Sequence, residues 1–126
     1  MSTPLNEAAV EDAAISWFQE LGYEYRFGPE IAPGEQASER DSFGDVTLAG
    51  RLRDAIDRLN PSSPAEARDE AFRKVLRPES PSLVGINRAV HAMLRDGVPV
   101  EYRREDGSIA GDHVALVDFD DPGAND

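Results

Sequence analysis

Carboxylates are the residues of this sequence best placed to do chemistry. The chemistry they suggest is the holding of a divalent cation for hydrolysis. Two places qualify: Glu7 and Glu11 near the N-terminus, and Asp118, Asp120 and Asp121 near the C-terminus. Glu11 would lie on a helix that could face a sheet and so supply one metal ligand. The plainer reading of Glu7, Glu11 and Asp12 is favourable placement at the positive end of a helix dipole. The three aspartates lack the alternation and central glycine of a calcium loop, and a solvated strand end is the plainer reading for them. A cation-dependent nuclease commonly adds a lysine, with an Asp or Glu two residues before it on a strand, since alternate strand residues share a face. The single lysine here, Lys74, has Phe72 at that position and falls in a predicted helix. That arrangement is therefore absent.

Other chemistries find less support. No Gly-Lys pair occurs, so there is no phosphate-binding loop of the ATP-driven motors. There is no cysteine and no Gly-x-Ser-x-Gly elbow. His91 and His113 read as isolated histidines, without ligand-like spacing to a nearby acid. The net charge of −12, from 25 acids against 13 Lys and Arg, opposes phosphate neutralisation, so little DNA affinity is expected of the chain alone. The aromatic residues follow core stripes and are not interleaved with a basic patch, which argues against base stacking. No apolar run nears the roughly 20 residues of a membrane span, and no basic-then-apolar leader opens the chain. The expectation is a cytoplasmic protein that does not enter the membrane.

The elements that must position these residues are legible from periodicity. A helix is predicted from about Pro4 to Leu21, with Thr3 as cap and Gly22 as stop. Its stripe is Val10, Ala13, Ala14, Trp17, Phe18 and Leu21. Tyr23 to Phe27 alternates like a short strand, ended by Gly28-Pro29. Pro29 to Gly44 reads as a long exposed loop, and Asp45 to Leu48 as a short strand or the lead-in to a helix. Three short helices follow. The first carries Leu52, Ala55, Ile56 and Leu59 and stops at Asn60-Pro61. The second opens with Ser63 and Glu66 as a capping box, carries Ala67, Ala71, Phe72, Val75 and Leu76, and closes at Pro78. The third starts at Ser80-Pro81, carries Leu83, Ile86, Val90, Met93 and Leu94, and ends at Gly97. A hairpin then pairs Val98 to Arg104 with His113 to Phe119 across Asp106-Gly107. This is an α/β, more exactly mixed α+β, unit with few strands. Its exposed sheet edge would gain stability from further strands.

Specific words of the sequence go further. Leu5-Asn6-Glu7 through Leu21-Gly22-Tyr23, the string YEYRFGPEIAPGE, Leu59-Asn60-Pro61, Leu76-Arg77-Pro78 into Ser80-Pro81-Ser82-Leu83, Asn87-Arg88, and GVPVEYRREDGSIAGDHVALVDFDDP before Asn125-Asp126 occur in order over the whole chain. Together they resemble the N-terminal region of the restriction (R) subunit of type I restriction–modification enzymes. The resemblance implies residues 1–126 of an incomplete nuclease domain, with part of a restriction-endonuclease-like fold: N-terminal helix, short strand, three-helix insert and hairpin. It implies a parent that is a hydrolase and endonuclease of a restriction system. That parent cleaves unmethylated foreign DNA while translocating it, binds DNA and ATP, uses magnesium, and works with modification and specificity subunits. The nuclease's Asp and Glu-x-Lys would lie after this chain ends, so the chain alone would be non-catalytic and hold no cofactor. Only the first-helix acid carries over, with Glu11 the better match and Glu7 the alternative. Two other classes compete: an acidic interaction module that mimics DNA, motivated by the charge, and a stand-alone enzyme with a novel carboxylate site.

Overall fold

A computed structural model describes residues 5–125. The chain divides into two compact units, Met1–Gly44 and Asp45–Asp126.

The first unit is organised by α1, Glu7–Glu20. The Asn6 side chain accepts a hydrogen bond from the Ala9 amide at 2.9 Å and caps the helix. The predicted cap and first residue, Thr3 and Pro4, lie outside the described residues. The end of α1 follows expectation. Gly22 takes φ +96°, its amide donates to the Gln19 carbonyl, and the Tyr23 amide reaches back to the Phe18 carbonyl. These two bonds form a Schellman motif, and the Phe18 and Tyr23 rings meet edge to face at 5.4 Å, which supplies its apolar contact. The stripe of α1 has the predicted period, yet no residue of the helix is buried, and Trp17 is 67% exposed.

The short strand predicted over Tyr23 to Phe27 is not formed. The segment is irregular and pairs with no strand among the described residues. Alternation marks which side chains share a face, but a strand also needs a neighbour to bond its backbone. Gly28–Glu30 forms a 3-10 turn, and the rest of the predicted loop consists of turns and bends.

The second unit holds the core. Its helices are α2 (Ala49–Leu59), α3 (Ala65–Leu76) and α4 (Leu83–Asp96), and its sheet is the antiparallel pair β1 (Val98–Arg103) and β2 (Ile109–Val114). Asp45 to Leu48 is the irregular lead-in to α2. Ile56 of α2, Ala67 and Ala71 of α3, Met93 of α4, Val98 and Val100 of β1 and Val114 of β2 form one buried cluster. The alanines on α3 let that helix approach the strands closely. Phe72 packs beside them, with the Arg53 guanidinium 4.4 Å above its ring. Leu83 and Leu94, predicted on the buried face of α4, are exposed.

Two helix starts differ in detail from expectation. Pro64 occupies the cap position of α3 and offers no hydroxyl, so the box of Ser63 with Glu66 does not form. The Ser63 hydroxyl lies instead 3.5 Å from the Asp112 carboxylate. Helix α4 is capped by Ser82, whose hydroxyl accepts from the Gly85 amide at 3.0 Å. Gly97, at φ +86°, turns the chain directly into β1.

The hairpin corrects the expected return strand. Val98 pairs with Val114 and Arg103 with Ile109, so β2 begins at Ile109 and has ended before Leu116, well short of Phe119. The turn decides this. The Gly107 amide donates to the Arg104 carbonyl and the Arg104 amide to the Ser108 carbonyl. That is a three-residue loop with glycine at positive φ, and it fixes the register whatever the β-propensity downstream. The Ser108 hydroxyl and amide donate to Asp106 at 2.6 and 2.9 Å. The hydroxyl foremost holds this carboxyl below the ordinary range. A depressed carboxyl supports the turn above its unfolded value and loses that support as pH falls through the folded one.

Candidate functional site

The residues singled out for chemistry occupy separate places. Glu11 and Glu7 lie on α1, Glu7 in its first turn, and both are exposed. The helix dipole favours Glu7, in the first turn. The Asp118 carboxylate accepts from the Asp120 and Asp121 amides at 3.0 and 2.9 Å. Asp121 accepts from the Gly123 amide. Two carboxylates of this cluster thus order the turns that follow β2, in the manner of Asx turns. Among the described residues no three His, Asp or Glu side chains converge into a set that could hold a metal ion.

Magnesium asks for a near-octahedral set of oxygens. A lone exposed Glu11 does not provide it, and the described residues do not by themselves fit that ion. Lys74 is engaged elsewhere: its ammonium donates to the Pro99 carbonyl at 2.6 Å and pairs with Glu70 at 3.2 Å.

The second unit has a cleft of about 580 Å³ between α3, α4 and the start of β1. Its floor includes Ala89, Ala92 and Met93, and its rim Arg73, Arg77 and Asp96. Arg95 beside Asp96 holds that carboxyl below its ordinary value, with smaller contributions from His113 and His91. Asp96, His91 and His113 are all exposed, and among the described residues they form no group that could hold a metal ion.

Sequence reasoning also missed Asn60. It is 8% exposed. Its amide group donates to the Ile56 carbonyl at 2.9 Å and to the Ala115 carbonyl at 2.8 Å, and accepts from the Ala115 amide at 2.8 Å. The signal available was an asparagine between a helix end and a proline, which reads as a stop alone. The acids of this unit are interleaved with cations: Arg53 pairs with Asp69, Arg68 with Asp57 and Lys74 with Glu70.

Fold and site define a class: an acidic, mixed α+β protein with four helices, a two-stranded sheet and, among its described residues, no group that could hold a metal ion. Comparison with known proteins identifies the class more closely. The family model for the type I restriction enzyme R protein N terminus matches residues 4–126. The chain is 35% identical over 121 residues to the type I restriction enzyme HindI endonuclease subunit of Haemophilus influenzae, covering 96% of this chain and 11% of that protein. It is 32% identical over 123 residues to the "Putative type I restriction enzyme MjaIXP endonuclease subunit" of Methanocaldococcus jannaschii, covering 97% and 12%. No solved structure matches. The chain belongs to the family of type I restriction enzyme R subunit N termini. It spans about one-ninth of the length of these relatives.

Proposed function

We propose that residues 1–126 are the N-terminal part of the nuclease domain of a type I restriction subunit. In this reading they form the opening of a restriction-endonuclease-like fold whose catalytic strands come from elsewhere in the parent. The parent is an endonuclease of the cytoplasm that cleaves unmethylated foreign DNA, uses magnesium, and hydrolyses ATP to translocate DNA. It assembles with modification and specificity subunits. The observation that carries this reading is the family match over residues 4–126. The small share of each relative that the chain covers supports it. The role of this chain is to supply the entry helix, the helical insert and the leading hairpin.

Glu11 is the one residue of the chain offered to the nuclease site, as a single carboxylate beside ligands from the rest of the parent. In the full-length subunit, Glu11→Ala should lower DNA cleavage by at least about ten- to a hundred-fold, the usual loss when support for a metal site goes. ATP hydrolysis should persist. Glu7→Ala should leave both activities within about two-fold, as expected of an exposed residue contributing only dipole stabilisation. Plasmid cleavage and phosphate release, measured side by side, check this. Loss of cleavage in Glu7→Ala with Glu11→Ala active would overturn the choice of Glu11.

A further inference from the structure

The two outer edges of the hairpin are treated differently. In an antiparallel pair, the N–H and C=O of alternate residues face the partner and those between face outward. The Arg104–Ser108 bond at the turn sets the phase. With the observed register, Val98, Val100 and Tyr102 point their backbone groups at Val114, Asp112 and Ala110. The outward groups belong to Pro99, Glu101 and Arg103 on β1 and to Ile109, Gly111 and His113 on β2.

The β1 edge is capped at Pro99 and Glu101. Pro99 has no N–H to offer. Its carbonyl accepts from Lys74, and the Glu101 amide donates to Glu70 at 3.2 Å. These two α3 side chains, themselves an i,i+4 ion pair, cap the edge as natural proteins cap edges against unwanted pairing. The β2 edge lacks such devices. It has no proline and no lysine over Ile109 to His113. The outward groups of Ile109 and Gly111 have no partner among the described residues, and the His113 amide is met only by the adjoining Asp112 carboxylate. Ile109 is 64% exposed. Just past β2 the edge is met by a surrogate. The Asn60 amide group both donates to and accepts from the Ala115 backbone, which is the double bond a neighbouring strand residue would make.

We propose that the β2 edge from Ile109 to His113 receives a β-strand of roughly five residues, a common strand length, from the remainder of the restriction subunit, and that Asn60 marks where that strand stops. The inference rests on the reading of this chain as part of a longer subunit. The occupant is chosen because nearly nine-tenths of each relative lies outside the matched region. The β1 edge takes no strand.

Hydrogen exchange on the 126-residue chain and on the full-length subunit tests this. In the chain alone, the amides of Val100, Tyr102, Ala110, Asp112 and Val114 should be protected, and those of Ile109 and Gly111 should exchange near the free rate. In the full-length subunit, Ile109 and Gly111 should slow by about a hundred-fold or more, with Glu101 little changed. Ile109→Pro and Gly111→Pro each remove an outward N–H and no N–H that pairs the two strands, and prolines are tolerated on an edge. They should leave the chain folded and abolish the added protection in the full-length subunit. A subunit that cleaves DNA and hydrolyses ATP while Ile109 and Gly111 stay unprotected overturns the edge assignment and leaves the parent reading standing. A full-length polypeptide with neither activity counts against the parent reading itself. Protection that rises with concentration in the chain alone makes a second copy the occupant and also overturns the proposal.

Discussion

Asn60→Ala destabilises the second unit by about 2–4 kcal/mol in urea unfolding. The estimate follows from the groups it strands: the Ala115 amide and carbonyl each lose their partner, and an unsatisfied, poorly solvated backbone group costs about 1–3 kcal/mol. The carbonyl of the fully buried Ile56 also loses a bond. Asn60→Asp separates this account from simple loss of volume. The carboxylate keeps one acceptor for the Ala115 amide but faces the Ile56 and Ala115 carbonyls without a proton to give. Those carbonyls raise its pKa in the folded state. Sign follows from that: the variant is most stable below the unfolded carboxylate value and loses stability as pH rises through the raised one. At neutral pH it should be less stable than Asn60→Ala, and the order should reverse in acid. Equal stability of wild type and Asn60→Ala would show that the amide clasp contributes nothing.

Ile56→Ala should cost about 2–5 kcal/mol, the range for large-to-small changes in a packed core. Ile56 is fully buried and stands where α2 meets the cluster of Ala67, Ala71 and Val114. Ile56→Val, which removes one methylene, should cost about 0.5–1.5 kcal/mol. Trp17→Ala provides the contrast. Trp17 is the chain's single tryptophan, yet its exposure predicts a change of only about 0.5 kcal/mol or less in this chain. In the full-length subunit, where the α1 stripe would be covered, the same substitution should cost several times more. Thermal or urea unfolding of the variants, in the chain and in the subunit, gives the comparison.

The sequence makes the helices legible because each is bracketed by residues with one structural use. Gly22 and Gly97 end α1 and α4, and Pro61 and Pro78 follow the ends of α2 and α3. Phe72, two places before Lys74, also shows that this lysine sits in no such nuclease motif. What stayed hidden depends on partners distant in sequence. The alternation of Tyr23 to Phe27 could not reveal that no strand lies beside it. The β-rich His113 to Phe119 stretch outweighed Ser108 to Asp112 as a strand candidate, although the turn at Asp106-Gly107 fixes which residues can pair. The clasp of Asn60 on Ala115, 55 residues away, has no local signature. The apolar stripe of α1 was readable as a stripe, but period alone does not say what covers it. The candidate site was legible only as resemblance. Glu11 is one carboxylate on an exposed helix, and nothing in its neighbourhood distinguishes it from Glu7.

The central claim is that this chain is one part of a restriction subunit whose nuclease chemistry needs residues outside it. The most direct test incubates the purified 126-residue chain with unmethylated supercoiled plasmid, magnesium and ATP, and follows topology on a gel together with phosphate release. The account predicts intact supercoils and no phosphate above the protein-free control. Magnesium-dependent nicking by the chain that disappears in Glu11→Ala would contradict it.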